Sequence, residues 1–248
     1  MENQFTLPTE TVELPSKGLL YPPESPLAEG KIEIKYMTAK EEDILTNNSY
    51  IKDGTVIDKL LKSLIVTNIN YNDLLVGDKN AIMVAARVLG YGKDYEFEYN
   101  GESQTVDLTT LKDKELDNSS VTNGENSFDF TFPKSGVSVT FKLLTHGDEQ
   151  KIEKELRGLK KINKRASPEL TTRLKYILTS INGDTESKTI RNFIDNGLLA
   201  VDARAFRKNY TKVSPDVDMK FDFVDSRGED KEASLPIGIN FFWPDADL

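Results

Sequence analysis

The chain has 248 residues, 38 % of them apolar and 9 % aromatic, enough for one large domain or two small ones with a real core. Its 41 acids against 32 bases leave a net charge of −9, which argues against a nucleic-acid binder held by a bulk positive field. There is no cysteine and one histidine, His146, which excludes disulfides, thiolate metal sites, cysteine nucleophiles and multi-histidine metal centres. No apolar run reaches the length of a membrane span, and the polar N-terminus has no signal-peptide shape.

In chain order, residues 1–30 read as an extended arm, because Pro8, Pro15, Pro22, Pro23 and Pro26 forbid a long helix. Residues 31–37 alternate as a half-buried strand. Thr38 with Glu41 three residues on then predicts a capping box and a helix start. Helices follow at about 56–65 and 78–89; the second is apolar on nearly every side and should be buried, ended by Gly90 and Gly92. Residues 95–99 alternate aromatic and acid, and Asn100-Gly101 turns the chain back through 105–108 as a hairpin. Residues 117–126 are polar and turn-rich, the best linker candidate in the chain.

Beyond that linker the order of features repeats. Leu14-Pro-Ser-Lys-Gly18 is echoed by Phe132-Pro-Lys-Ser-Gly136, and the strand ending at Thr38 by one ending at Thr145. Glu41-Glu42 corresponds to Asp148-Glu149, and Thr67-Asn-Ile-Asn70 to Thr179-Ser-Ile-Asn182. Ala86-Arg87 is matched with Ala203-Arg204, residues 95–99 with 219–223, and Gly101 through Leu108 with Gly228 through Leu235. The separation grows from 107 residues at the threonines to 127 at the last leucines. The expectation is an α+β protein of two related lobes, 31–116 and 127–239. Each lobe is a small, mostly antiparallel sheet with helices on one face, flanked by the arm at 1–30 and an aromatic tail at 240–248.

The chemistry-bearing residues have plain structural readings. His146 falls at a strand-to-helix corner, where a helix N-terminus disfavours a charged imidazole. The carboxylates at 41–43 and 148–149 could serve as a glycosidase pair, but they sit in first helical turns, where they offset the macrodipole. Asp216, Asp218 and Asp222, like Asp245 and Asp247, have oxygen-ligand spacings without the glycine and glutamate of a calcium loop. Gly90-Tyr91-Gly92 lacks the lysine and following helix of a phosphate loop. The basic stretch 151–165 carries Ile152, Leu156, Leu159 and Ile162 at helical spacing. It predicts an amphipathic helix whose positive face lacks the interleaved aromatics of a nucleic-acid groove and suits an acidic protein partner better. Phe241-Phe242-Trp243-Pro244 near the C-terminus must dock on its own core or on another chain; both remain open.

Together, Leu14-Pro-Ser-Lys-Gly18 with Tyr21-Pro22, Thr38 with Glu41-Glu42, Asp73 through Asp78, Ala86-Arg87 with Gly90-Tyr-Gly92, and Leu235-Pro-Ile followed by Phe241-Phe-Trp-Pro244 resemble the T4-type bacteriophage baseplate hub protein family from about residue 13 onward. The resemblance implies a non-enzymatic structural or assembly role in the hub of a contractile tail. It places the chain in the virion and, during assembly, the host cytoplasm, with other tail proteins of hub, tube or tape-measure type as partners and no nucleic acid. Several relatives carry Cys-x-x-Cys pairs near the hairpins. Here those positions read Tyr99-Asn-Gly-Glu102 and Val224 through Glu229, so neither a metal nor a cofactor carries over. The candidate partner-interface residues are Leu14, Pro15 and Tyr21 in the arm, Phe241, Phe242 and Trp243 in the tail, and Lys154, Arg157 and Lys161 on the basic helix. The rival roles are a transient assembly chaperone, a cell-wall glycoside hydrolase and a nucleic-acid-binding module.

Overall fold

Strand β1 (Thr9–Glu13) runs antiparallel to β2 (Lys31–Lys35), with Val12 opposite Ile32, in a computed structural model that describes residues 8–115, 117, 119, 121–162, 168–235 and 238–242. The segment between the strands is no free arm. Its prolines break helix, but Leu14, Pro15, Leu20, Tyr21 and Leu27 are buried in the core. Lys17 and Gly18 both take positive φ, at 51° and 76°, and a Cβ on Gly18 would collide with the Ala28 carbonyl, so only glycine closes this turn.

Helices α1 (Ala39–Leu45), α2 (Asn48–Asp53) and α3 (Val56–Leu64) follow, and Ile65 then bridges Ile34 on the open edge of β2. Helix α4 (Val76–Tyr91) buries Ala81, Ile82, Met83 and Ala86. It runs through Gly90, where the missing Cβ makes room for the Met37 side chain, and stops at Gly92 with φ 86°. The glycine that ends the helix is therefore the second of the expected pair. Strands β3 (Asp94–Tyr99) and β4 (Glu102–Asp107) close as a hairpin on Asn100 and Gly101, at φ 53° and 84°. Two consecutive positive φ values are what a type I′ turn requires.

In the second half β5 (Phe128–Thr131), β6 (Ser138–Phe141) and β7 (Leu178–Ile181) form an antiparallel sheet in the order β5-β6-β7. Helices α5 (His146–Ile162) and α6 (Glu169–Ile177) come between β6 and β7; α7 (Ser187–Asn196), α8 (Ala200–Val213), the hairpin β8 (Lys220–Val224) with β9 (Asp230–Ser234), and α9 (Ile239–Phe242) complete the described residues. Phe128 stacks on Phe141 at 5.2 Å, and Phe206 meets Phe141 edge-on at 5.0 Å. Such pairs add about 0.5–1.5 kcal/mol each beyond the area they bury. The protein is thus α+β, with several small antiparallel sheets and helices packed on them.

Two hydrogen-bonded devices occur once in each half. Glu41, in the first turn of α1, accepts from the Thr38 amide at 3.0 Å, the Thr38 hydroxyl at 2.6 Å and Lys35 Nζ at 2.9 Å. Asp148, in the first turn of α5, accepts from the Thr145 amide at 3.3 Å, the Thr145 hydroxyl at 3.2 Å and Lys142 Nζ at 2.6 Å. The second device is an aspartate three residues into a helix that grips the Pro-containing turn after the first strand. Asp78 accepts from the Ser16 amide at 2.9 Å, and Asp202 from the Lys134 and Ser135 amides at 2.8 and 3.0 Å.

These bonds correct the register expected in two places. Setting Asp78 against Asp202 places Arg87 against Thr211, and Arg87 is buried whereas Arg204 is exposed, so the two arginines matched in the sequence have different surroundings. The amide of Leu108 donates to the Lys93 carbonyl as that of Leu235 does to Met219, which sets Tyr95 against Phe221 rather than Met219. A slip of two residues keeps the same strand face and is invisible to a pattern of alternation.

The halves share one core. Leu75 bridges Thr145, the Val76 amide donates to the Leu144 carbonyl at 3.2 Å, and the His146 amide to the Leu74 carbonyl at 2.7 Å. A second seam pairs Asp113 with Val217. Between the seams, Gly77 of α4 lies against Pro215, whose carbonyl a Cβ would strike. Residues of the expected linker are tied down as well: the Gly124 amide donates to Leu19, and the Asn126 amide group holds both backbone polar atoms of Leu143.

Candidate partner interface

Helix α5 forms because Thr145 and Asp148 cap it, and it is fastened on one side by its own acids. Glu149 receives both Arg173 terminal nitrogens, at 2.6 and 3.0 Å, while Glu155 receives those of Arg191 at 2.9 and 3.0 Å and the Tyr176 hydroxyl at 2.9 Å. Those inward carboxylates clamp α5 to α6 and α7. The outward residues Lys151, Lys154, Arg157, Lys160 and Lys161 are all exposed. Arg157 pairs with Glu153 at 3.0 Å and Lys151 weakly with Asp148 at 3.8 Å, whereas Lys154, Lys160 and Lys161 form no ion pair with a described residue. The apolar stripe is covered at its start, where Ile152 is buried, but Ile162 at the far end is 86 % exposed and Leu170 at the head of α6 is 44 % exposed. Among the described residues, the cationic face of α5 therefore lies beside exposed apolar side chains.

The other expected interface residues face inward. Tyr21 donates its hydroxyl to Asp78 Oδ2 at 2.6 Å and accepts the Leu75 amide at 2.9 Å; burial and the neighbouring carboxylate push its phenol far above the usual range. Leu14 and Pro15 are buried beside it. Phe241 and Phe242 are also buried, Phe241 against Tyr95 at 5.4 Å, with Arg87 Nε donating to the Phe241 carbonyl at 3.1 Å. These five side chains hold the chain's own core and present no surface to a partner. Trp243 lies outside the described residues. Nothing in the sequence marks Asp78 and Arg87, the polar centres of these two anchors, as buried, because an acid in a first turn and a base on a helix both look like ordinary surface residues.

His146 belongs to the seam between the halves. It is buried, edge-on to Tyr71 at 4.6 Å, with Lys79 Nζ 3.5 Å from Nδ1 and Asp58 Oδ2 3.5 Å from Nε2, the latter without hydrogen-bond geometry. Burial first, then the Lys79 charge, lowers its pKa, against the opposing pull of Asp58 and Glu149; Lys62 adds to the lowering. A folded state that resists protonation loses stability as pH falls through the ordinary histidine range near 6.5. We expect the urea midpoint to drop between about pH 8 and about pH 5.5, and the drop to shrink in His146→Gln. A profile unchanged in that variant would rule out the histidine. Glu41 acts at lower pH: burial alone would raise it, but the Thr38, Lys35 and Ser63 hydrogen bonds outweigh this and hold it at about 2. Its contribution is complete above about pH 4.5 and lost as pH falls toward 2.

Glu41 and Asp148, the leading acids of the two clusters, are thus buried helix caps bonded to a lysine and a threonine each. Asp216 bonds Asn80 and Lys114, tying the halves together. Among the described residues no three His, Asp or Glu side chains converge as metal ligands would, and no helix is long and apolar enough to cross a membrane. An apolar cavity of about 360 Å³ opens between the halves, walled by Leu75, Leu144, Leu174, Phe206 and Tyr210 with the Glu149–Arg173 pair.

Small antiparallel sheets and helices, locked by backbone bridges and by buried carboxylates that serve as caps and anchors, make an α+β body. The model of the T4 bacteriophage base plate protein family matches residues 8–243, nearly the whole chain, and the chain belongs to that family. It is a phage baseplate protein. No curated protein and no solved structure matches it.

Proposed function

We propose that this chain is a non-catalytic structural or assembly component of the baseplate hub of a contractile tail. It holds neighbouring tail proteins through the outer face of α5, with Lys154, Arg157 and Lys161 as the contacting cations. Family membership supports the setting. The observation that carries the contact is an exposed row of cations, of which Lys154, Lys160 and Lys161 form no ion pair with a described residue and Arg157 pairs only with the exposed Glu153 of its own helix, on a chain whose net charge is −9. Exposed like charges repel one another, and an acidic protein surface relieves that repulsion. We infer in the same way that the halves are copies of one unit, from the paired Thr-acid-Lys caps and the paired aspartates that grip a Pro-containing turn.

The test is a pull-down from infected cells with the wild-type chain and with Lys154→Glu/Arg157→Glu/Lys161→Glu. Recovery of hub, tube or tape-measure-type proteins by the wild type, and at least tenfold less by the reversed variant, supports the reading. Equal recovery by both, or no tail protein with either, overturns it. Mass spectrometry of purified particles then separates a virion component, which is retained, from an assembly chaperone, which is absent.

A further inference from the structure

Strand β3 sorts its side chains by face. Tyr95, Phe97 and Tyr99 turn inward, Phe97 meeting Phe221 at 5.1 Å and Phe223 at 5.3 Å, while Tyr99 meets Phe223 at 5.0 Å. Asp94, Glu96 and Glu98 turn outward and are exposed. Opposite them on β4 stand Asp107, Thr105 and Ser103, so no base faces the acidic row across the ladder. Lys93 pairs with Asp107 at 2.6 Å, but Glu96 and Glu98 form no ion pair with a described residue. Between Lys93 and Lys112 the chain carries five acids and no base. Among the described residues, therefore, Glu96 and Glu98 on the first half and Lys154, Lys160 and Lys161 on the second are exposed charges with no ion pair.

The two match in length. Carboxylates at every second strand residue are about 7 Å apart, so Asp94 to Glu98 spans about 14 Å. Lys154 to Lys161 rises about 10 Å along α5, and flexible lysine stems extend that reach. Among the described residues no ion pair joins the two faces within the chain.

We propose that the outer face of α5 docks on the outward face of the β3–β4 hairpin of a second copy, head to tail. The proposal rests on the reading of α5 as the contact face and names its occupant. Because the contacting surfaces differ, a head-to-tail pair keeps one α5 face and one hairpin face free, so association continues to a closed ring or a filament. An interface made mainly of exposed charges is also weakened by salt.

Sedimentation velocity of the full chain at about 20 mM and about 500 mM salt tests this. The wild type is expected to associate with rising concentration at low salt and to dissociate at high salt. Lys154→Glu/Lys161→Glu and Glu96→Lys/Glu98→Lys should each be monomeric alone, with at least a tenfold loss of association. Mixing the two should restore it, because each reversed helix then meets a reversed hairpin. The milder Lys154→Gln/Lys161→Gln should weaken association with an unchanged urea midpoint, which separates lost contact from lost fold. A wild type that is monomeric at low salt, reversed variants that still associate, or a mixture that stays monomeric overturns the proposal. If self-association fails while reversal of α5 still abolishes capture of tail proteins, the hub reading stands without the second copy. If reversal affects neither, both fall.

Discussion

Replacing Asp78 by alanine is expected to destabilise the protein by about 3–5 kcal/mol. The carboxylate is buried and accepts three hydrogen bonds, from the Ser16 amide at 2.9 Å, the Ser16 hydroxyl at 2.7 Å and the Tyr21 hydroxyl at 2.6 Å. Alanine would leave all three donors buried without their acceptor, each costing about 1–3 kcal/mol. Burial raises the Asp78 pKa against the pull of these donors, so the site is held by its hydrogen bonds and not by solvation. Urea denaturation measures the effect: with slopes of about 1–3 kcal/mol per molar, the midpoint should fall by at least about 1 M. Ser16→Ala removes one of the three donors and the acceptor of the Gly18 amide at 3.2 Å, and should cost about 1–3 kcal/mol. Equal midpoints for wild type and Asp78→Ala would show that the turn after β1 is not anchored through this carboxylate.

The second large effect concerns the end of the chain. Phe241 and Phe242 are fully buried where α9 meets α4, their rings 5.6 Å apart. Phe241→Ala and Phe242→Ala should each cost about 3–5 kcal/mol. Together they approach or exceed the whole margin of about 5–15 kcal/mol that holds an ordinary domain. The double variant, and a chain cut after residue 240, should therefore be insoluble or unfolded at 37 °C when examined by circular dichroism. A soluble, cooperatively melting truncation that had lost only partner binding would return these rings to the interface.

Local chemistry made much of the fold readable. Asn100-Gly101 specified its hairpin because few other residue pairs tolerate two positive φ values in succession. Thr38 with Glu41 specified a helix start because the acid reaches back to the cap within four residues. The buried character of α4 followed from its composition, although its end was set by Gly92 and not Gly90. Gly90 serves packing against Met37, a contact 53 residues away in sequence.

The candidate site was legible only in part, for a related reason. Charge on an amphipathic helix announces an exposed face, and Lys154, Arg157 and Lys161 are exposed. Apolar and aromatic residues near a terminus carry no such sign, since the same Phe-Phe pair serves a core or an interface equally well. Only the position of α4, with Arg87 reaching the Phe241 carbonyl, decides between the two.

By itself, then, the sequence determined the α+β class, the caps, the hairpin turns and the cationic helix. Each depends on residues within about one turn or one strand of one another. The tertiary structure alone decided that residues 9–29 are woven into the core, that the halves share a seam through His146, Gly77 and Asp216, and that Ile152 is buried on α5 while Ile162 is exposed. Those outcomes depend on contacts between residues far apart in the chain, where burial of one side chain is set by the shape of an element that its own neighbours in sequence do not encode.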